Sequence, residues 1–492
     1  RHAFSFSGTA GSADTFSDEI VYGHYSGQRS FQLGQYHHET DGLRVNADLR
    51  EDLYRAFYQE DLGTGSSVQA ELSYGETRAG DTRLQFEPGS FSPLQRGRHE
   101  VTTVRLGARH AWDPSSLLLV SLISQRRETH FFDAVVSPFF RIDFDIASKV
   151  DTYSGELQYQ KRGSLGDLIV GGGLFGRNDE GVQINTVDLF GPPLMVTTTP
   201  IDTTLNSANV YAYGHLGQPS RARLVLGLSV DYLESRDATA SPEDTEINPK
   251  LGAVLPVGPG TTLRFAAFRG MKRLPSVNAS VEPTSVAGFN QVFDDLSRTV
   301  YWRYGAAVDQ VWGKRHFAGL EATRRNLRIP DAIVAGIDED RIEWLHRAYW
   351  SWLVTPRLAA GAELRAEKLE RKNLPPSGPV LVPVEIDTKA LPLTLTYHAP
   401  SGLFARARAS FVNQEVFLRD GLGGEARQRD RFSVVDLSIG MRLPGRRGLV
   451  SLEINNLFDE SFVYRDTAFE GEPRVPLYVP EQTVFVRLQL SL

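Results

Sequence analysis

The sequence contains no cysteine among its 492 residues. Disulfide bridges, thiolate metal sites and cysteine nucleophiles are therefore excluded. Long apolar runs are missing as well, because no window approaches the roughly 18 apolar residues that a membrane-spanning helix needs. Stretches with the 3.6-residue apolar period of amphipathic helices are also scarce. Together these absences argue against a helical protein.

The charge balance excludes a polycationic protein. Lys and Arg number 53 against 60 Asp and Glu, which gives a formal net charge of -7 at pH 7. Nucleic acid is not an expected partner, since its recognition depends on clustered positive charge. The first residues, Arg1-His2-Ala3-Phe4, lack an initiating Met and the apolar stretch of a signal peptide. We expect that a signal peptide was removed or that the chain begins part-way through a longer protein.

Glycine, aromatic residues and short alternating segments are abundant. Gly accounts for 44 residues and aromatic residues for 10% of the chain. The terminal segment shows the alternation most plainly, with an aliphatic side chain at every second position from Val484 to Leu492. A period of two indicates a β-strand whose two faces meet different environments. No helical segment follows to cover the apolar face, so lipid is its expected cover.

The connections between alternating segments differ in length in a regular way. Short turns are expected at Gly27–Arg29, Leu62–Ser66, Asp113–Ser115, Gly163–Gly166, Gly217–Ser220, Gly258–Gly260, Gly313–Arg315, Thr355–Arg357, Pro400–Gly402 and Pro444–Gly448. Long connections alternate with them at Thr9–Asp18, Glu39–Glu51, Thr77–Glu100, Glu128–Asp151, Asn178–Asn206, Ser235–Glu246, Pro275–Thr299, Arg328–Arg341, Lys372–Lys389, Leu418–Arg431 and Tyr464–Gln482. Short and long connections therefore fall at opposite ends of the strands.

This alternation predicts the fold class. The chain is expected to be all-β, an antiparallel up-and-down transmembrane β-barrel of about 22 strands, with short periplasmic turns and long extracellular loops. Residues 1–492 would form this single domain. A β-sandwich or propeller gives no reason for strict long–short alternation along the whole chain.

The alternation of apolar and polar side chains along each strand predicts which residues face the lumen. In Leu403–Gln414, alanines at every second position from Ala405 alternate with Arg406 and Arg408. The inward parity carries the charged residues Arg105, Arg109, Glu156, Glu321, Glu363, Arg365, Arg406, Arg408, Asp436, Arg442, Glu453 and Arg487. One interpretation is that these residues form ion pairs between neighbouring strands in a water-filled lumen. The other is contact with a plug or with a passing solute.

Two segments resemble a known family. Asn456-Leu457-Phe458-Asp459 is similar to the signature before the last hairpin of TonB-dependent receptors, and a Pro-containing loop and a terminal strand follow it here too. Phe265–Arg269, with Leu274-Pro275-Ser276 and Glu282-Pro283, resembles that family's mid-barrel strand and loop. The resemblance implies an outer-membrane transporter whose barrel lumen holds a plug.

The sequence departs from the family pattern at both ends. The first strand is expected near Arg1, so we expect neither a plug nor a TonB-contacting box in this chain. The last residue is Leu492, where barrels of this family usually end in an aromatic residue. A second resemblance is to outer-membrane barrels attached to a periplasmic tetratricopeptide-repeat region. No repeat of about 34 residues is visible, so such a region would lie outside the chain.

Three groups of acidic residues and histidines are candidate sites for chemistry. Acids and histidines gather at Glu76, Asp81, Glu87, His99 and Glu100, at His37-His38-Glu39, and at Asp331, Asp338, Glu339 and Asp340. Their spacing favours solvated loops over a metal site, and we expect no bound metal. Gly171–Gly173 indicates close approach of the backbone in a strand. No nucleophile–base pair can be argued, so neither an enzyme nor a cofactor is expected.

The functional expectation follows from the barrel. We expect a bacterial outer-membrane transporter or receptor for an unspecified small solute, in contact with outer-membrane lipid and lipopolysaccharide. The alternative is a barrel without a plug that anchors or exports for a periplasmic or cell-surface protein partner. Two loops, Asn178–Asn206 and Pro275–Thr299, carry apolar residues. They would fold into the barrel mouth, contact a ligand or partner, or pack on other loops.

Overall fold

The structure is a computed structural model that describes residues 2–82, 91–189, 193–218, 221–236, 243–273, 280–291, 295–330, 338–374, 381–466 and 477–492. The first twelve strands are β1 (His2–Gly11), β2 (Thr15–Ser26), β3 (Arg29–Thr40), β4 (Leu49–Asp61), β5 (Ser66–Ala79), β6 (Arg96–Asp113), β7 (Ser116–Val136), β8 (Arg141–Gly163), β9 (Gly166–Asp188), β10 (Met195–Gly217), β11 (Arg223–Arg236) and β12 (Glu243–Gly258).

The second half of the chain continues in the same way. Its strands are β13 (Thr261–Met271), β14 (Ser285–Val286), β15 (Phe289–Asn290), β16 (Val300–Trp312), β17 (His316–Pro330), β18 (Asp338–Thr355), β19 (Leu358–Lys372), β20 (Val382–His398), β21 (Leu403–Arg419), β22 (Glu425–Arg442), β23 (Gly448–Asn455) and β24 (Thr483–Ser491). A short 3-10 helix lies at Pro444–Arg446. Within the described ranges, no helix is long and apolar enough to cross a membrane.

Every strand except β14 and β15 belongs to one 22-stranded antiparallel sheet. The sheet closes where β1 pairs with β24, from Ser5 opposite Ser491 to Gly11 opposite Phe485. The predicted barrel of about 22 strands is therefore confirmed. A Cβ atom added to Gly11 would lie 2.1 Å from the carbonyl oxygen of Val484, so this closing contact requires glycine.

Several predicted long loops are instead continuations of strands. Asn178–Asn206 was expected to be a loop, but β9 runs to Asp188 and β10 begins at Met195. Glu128–Asp151 likewise lies largely within β7 and β8. Polar residues misled the prediction, since a strand that has left the membrane no longer needs an apolar outer face. With 23 residues each, β8, β9 and β10 far exceed the roughly 9–11 residues that cross a bilayer.

The outer face of the barrel is apolar and carries aromatic residues at two levels. Trp350 and Trp352 stack near the periplasmic end of β18, with ring centroids 5.8 Å apart. Trp344 lies further along the strand, with the Arg324 guanidinium 5.4 Å and the Lys368 ammonium 5.9 Å from its ring centre. Such pairs are typical of the boundary between lipid and water.

The buried residues gather on the inner face, where two segments from the extracellular end lie against the wall. The first is the lumenal hairpin, residues 280–291 with β14 and β15. The second is the tail segment, defined here as residues 456–466 together with 477–482. The main cluster of buried apolar side chains joins the lumenal hairpin to β10, β11, β13, β16 and β17.

Candidate functional site

The lumenal hairpin is held by apolar packing on both sides of a tight turn. Ala287 and Gly288 form the turn with φ angles of 49° and 84°, a pair of positive values that suits a two-residue hairpin loop. Val286 and Phe289, which flank the turn, are 0% and 1% exposed. They pack with wall residues that include Tyr213 and Phe268. The hairpin is therefore part of the barrel's interior core.

Glycines in the wall make room for this hairpin. A Cβ atom on Gly252 would lie 2.8 Å from the Val286 Cγ1 atom, and one on Gly305 would lie 2.5 Å from the Phe289 ring. The Arg264 guanidinium lies 5.2 Å from the centre of the Phe289 ring. Since β13 begins at Thr261, Arg264 is only about 10 Å along the strand from the periplasmic turn. The hairpin therefore reaches deep into the lumen.

A buried network of charges fixes the base of the hairpin. Arg273, just beyond β13, forms ion pairs with Asp231 at 3.0 Å and with Glu282 of the hairpin segment. The Tyr213 hydroxyl donates to a Glu282 oxygen at 2.6 Å, and the Asn248 amide donates to Asp231 at 2.6 Å. Burial alone would lower the pKa of Arg273, but the two carboxylates raise it above its usual value. The arginine therefore stays charged and bridges wall and hairpin.

A second contact ties the start of the segment to β8. The Ser280 hydroxyl donates to a Glu156 oxygen at 2.7 Å, and the Val281 backbone N–H donates to the same oxygen at 3.3 Å. The Gln158 side chain donates to the Val281 carbonyl. Glu156, one of the predicted lumen residues, thus supports the hairpin.

The tail segment covers a different part of the inner wall. Phe462 stacks on Phe432 of β22 with ring centroids 3.8 Å apart, and Tyr464 and Tyr478 meet edge to face at 5.1 Å. The Gln414 amide of β21 both donates to the Arg465 carbonyl, at 2.8 Å, and accepts from its N–H, at 2.9 Å. Burial raises the pKa of Tyr464, so its phenol is neutral.

The residues that resemble the family signature build the turn after β23. Asn456 is 1% exposed, and its amide donates to the carbonyls of Glu460 and Val479 at 2.8 and 3.0 Å. Its side-chain oxygen accepts from the Glu460 N–H at 2.9 Å. Asp459 accepts from the Gln482 N–H at 2.8 Å, whereas Phe458 is 73% exposed. Asn456 therefore cross-links both ends of the tail segment.

Cross-strand register places all the predicted lumen residues on one face of the sheet, the face that carries the lumenal hairpin. Most of them have polar partners. Arg105 pairs with Glu71 at 3.3 Å, Glu321 with Arg264 at 3.4 Å, Glu363 with Arg347 at 2.7 Å, Glu453 with Arg487 at 3.7 Å, and Arg365 with Glu367. Asp436 accepts from the Asn456 backbone N–H at 3.0 Å. These pairs suit the ion-pairing interpretation of the sequence.

Four of the predicted lumen residues differ from the rest. Among the described residues, no carboxylate pairs with the guanidinium groups of Arg109, Arg406, Arg408 or Arg442. Arg109, Arg406 and Arg442 are also exposed. An inward arginine without an acidic partner keeps its charge available to an occupant of the lumen.

The side chains of the first candidate metal site do not come together. Glu76 and Glu100 face each other on the outer face, whereas His99 is on the opposite parity, across from Thr77. Asp81 is 0% exposed and pairs with Arg44 at 3.1 Å. Glu87 lies outside the described residues.

The other two groups also divide between faces or pair with basic residues. His37 contacts Asp52 at 2.7 Å, and His38 is on the other face. Glu339 pairs with Arg371 at 2.7 Å and points away from Asp338 and Asp340. Asp331 lies outside the described residues. Within the described ranges no three of these side chains form a metal-binding group.

Sequence reasoning missed Arg273, Asp231 and Tyr213 as parts of one network. Tyr213 and Asp231 lie on β10 and β11, whereas Arg273 follows β13, and only the closed barrel brings them together. One signal was present: Val286, Ala287 and Phe289 are apolar residues inside an apparent loop. Phe190, Val292 and Phe293 are further apolar residues of the two long loops Asn178–Asn206 and Pro275–Thr299, and they lie outside the described residues. Leu274-Pro275-Ser276, which resembles part of a loop of TonB-dependent receptors, lies outside them as well.

Solved structures match this architecture over the whole chain. The pyoverdine receptor FpvA of P. aeruginosa superposes with a TM-score of 0.74 at 11% identity, covering 100% of this chain and 72% of that one. The copper transporter OprC gives 0.75 at 13% identity, covering 100% and 83%. The ferric-catecholate import receptor Fiu of E. coli K12 gives 0.71 at 12% identity, covering 100% and 82%. No protein-family model and no curated protein sequence matches the chain significantly.

These findings define the class of protein. The chain is a large transmembrane β-barrel of the type found in the Gram-negative outer membrane. Its fold is that of the barrels of TonB-dependent receptors, as the resemblance implied. FpvA and Fiu are named as receptors, and OprC is named as a transporter. At 11–13% identity this similarity establishes the fold.

Proposed function

We propose that this chain is the barrel of an outer-membrane receptor that takes up a scarce small solute. The observation that carries the proposal is the lumenal hairpin, which enters from the extracellular end and is pinned to the wall by Arg273, Asp231 and Glu282. A segment placed in this way can respond to a ligand at the mouth and alter the passage below. A barrel that served only as an anchor would have no use for such a buried network.

The similar structures suggest where to look for the solute. FpvA is described with an iron–pyoverdine complex, Fiu as a ferric-catecholate import receptor and OprC as a copper transporter. We propose a metal or a metal chelate as the first class to test. The inward arginines and the aromatic residues of the tail segment offer groups that bind such chelates.

Uptake in cells tests this proposal. A strain lacking the gene should accumulate less of a radiolabelled ferric chelate or copper salt supplied at limiting concentration, and the intact gene should restore uptake. A gene carrying Gly305→Ala, which crowds Phe289, should restore uptake incompletely. Gly361→Ala is the matched control, because a Cβ atom there meets only the Trp350 carbonyl at 3.8 Å. Equal accumulation with and without the gene, for every solute offered, would contradict the proposal.

A second candidate function is attachment of a protein partner at the cell surface. Exposed apolar residues lie at the tips of the extended hairpins, where Phe139 is 79%, Leu194 68% and Val136 54% exposed. Such tips are typical of protein contacts. One matching structure is the complex of FpvAI with pyocin S2, so a barrel of this fold can hold a protein partner. Cross-linking in intact cells through a photoreactive residue at Phe139 should then capture a discrete partner, and capture of lipid alone would argue against this function.

A further inference from the structure

The inner wall on β21 and β22 has two halves of different character. The extracellular half is buried under the tail segment, through contacts of Val412, Phe432 and Val434. Below that cover the same two strands carry Arg408, Arg406 and Arg442, all on the inward parity. The wall therefore changes from apolar to cationic at the lower edge of the tail segment.

The three arginines form a ladder along the wall. Arg408 lies opposite Asp436, and Arg406 lies opposite Ser438, one step closer to the periplasmic turn. Arg442 is four residues beyond Ser438 on β22. At about 3.3 Å per residue, the ladder spans roughly 20 Å along the strands. It leads from the level of the tail segment to the periplasmic end of the barrel.

The acids near the ladder have other partners. The Asp436 carboxylate accepts a hydrogen bond from the Asn456 backbone, Glu367 pairs with Arg365, and Glu453 pairs with Arg487. Within the described residues none of these acids forms an ion pair with Arg406, Arg408 or Arg442. Arg406 and Arg442 are exposed, so their charge is directed at the lumen. Rings or rows of arginine in a pore favour anions over cations.

We propose that the solute passing this barrel is an anion, and that Arg408, Arg406 and Arg442 guide it from the tail segment to the periplasm. This inference rests on the proposed uptake function and names the chemical class of the solute. The chemistry it requires is a small molecule bearing carboxylate, phosphate or a similar anionic group, which selects anionic metal chelates over bare metal ions within the class proposed above. Guanidinium groups bind such oxygens through two parallel hydrogen bonds.

Flux into proteoliposomes tests the proposal with the purified intact protein. The probes are labelled gluconate and glucose, which are similar in size and differ in charge. Gluconate should enter faster than glucose, and Arg406→Gln, Arg408→Gln and Arg442→Gln combined should reduce the gluconate-to-glucose ratio on the order of tenfold. Glucose flux should not change. Arg315→Gln, in the periplasmic turn before β17, is the control and should leave the ratio at its original value.

Each other result overturns a definite part of this reasoning. An unchanged ratio with normal glucose flux would overturn the anion path and leave uptake standing. Equal acceleration of both sugars in the triple variant would mean that the arginines hold a segment of protein in place. Flux of neither sugar would overturn the anion path, and the accumulation experiment in cells then tests the uptake proposal separately. The single change Arg406→Glu keeps the test available if the triple variant fails to fold, and it should lower the ratio further than Arg406→Gln.

Discussion

Crowding the lumenal hairpin from the wall side gives the most detailed prediction. In Gly305→Ala the added Cβ atom would lie 2.5 Å from the Phe289 ring, closer than any normal contact. The hairpin itself keeps its sequence, so only its fit against β16 changes. Overpacking of this kind costs about 1–3 kcal/mol. The cost should fall on the docked hairpin, because the β16 backbone is held by two neighbouring strands.

A single cysteine can report on the hairpin, because the natural chain contains none. Val286→Cys places a thiol of similar size at a side chain that is 0% exposed. Labelling by a maleimide then requires the hairpin to open. Since about 1.4 kcal/mol corresponds to a tenfold change in an equilibrium, Gly305→Ala should accelerate labelling by about 5- to 150-fold.

The matched control is Gly361→Ala, on the same inward parity, where the nearest atom to the added Cβ is 3.8 Å away. Its labelling rate should equal that of the parent carrying only Val286→Cys. Both variants should migrate as folded barrels on unheated gels. Slow labelling in Gly305→Ala, equal to the parent, would refute the packing of Phe289 against Gly305 and the docked position of the hairpin.

Two further predictions concern the groups that hold the inner segments. Arg273→Ala would leave Asp231 and Glu282 as unpaired buried charges, which costs about 3–5 kcal/mol. This variant should therefore accelerate the labelling of Val286→Cys more than Gly305→Ala does. Labelling at the parent rate would contradict the network. Asn456→Ala removes an amide that holds both ends of the tail segment and should cost about 1–3 kcal/mol, seen as a lower urea midpoint in folding into lipid vesicles. Phe458→Ala, at an exposed position, should fold at the original midpoint, and equal losses in both variants would argue against this role of Asn456.

Most of the fold could be predicted from the sequence because the bilayer imposes it. Lipid on one side and water on the other require an apolar side chain at every second position, and the short turns must meet at one end. This is why the strand number and the positions of the short turns could be predicted from the sequence. The errors lay where the bilayer no longer acts: β8 and β9 continue well beyond the length that crosses a bilayer, and the outer face of β8 carries Asp143 and Asp145 there.

The arrangement of the segments inside the lumen could be predicted from the sequence only in part. Apolar residues within Pro275–Thr299 left folding into the mouth as one of several options, and the structure shows Val286 and Phe289 deep in the lumen. The spacing along the chain does not indicate that Arg273 contacts Asp231, because this ion pair depends on how far the segment that contains the lumenal hairpin extends into the lumen. Asn456 was noted for its resemblance to a family motif, but its hydrogen bonds across the tail segment required coordinates.

The central claim is a barrel with lipid outside and a polar lumen inside, and one pair of neighbouring residues tests it most directly. Ala407 faces outward opposite Leu395 and Leu437, whereas Arg408 faces inward. Folding into lipid vesicles, followed by urea titration, should show that Ala407→Arg costs about 2–4 kcal/mol. Arg408→Ala should cost far less. Equal losses at the two positions, or a larger loss at Arg408, would contradict the account.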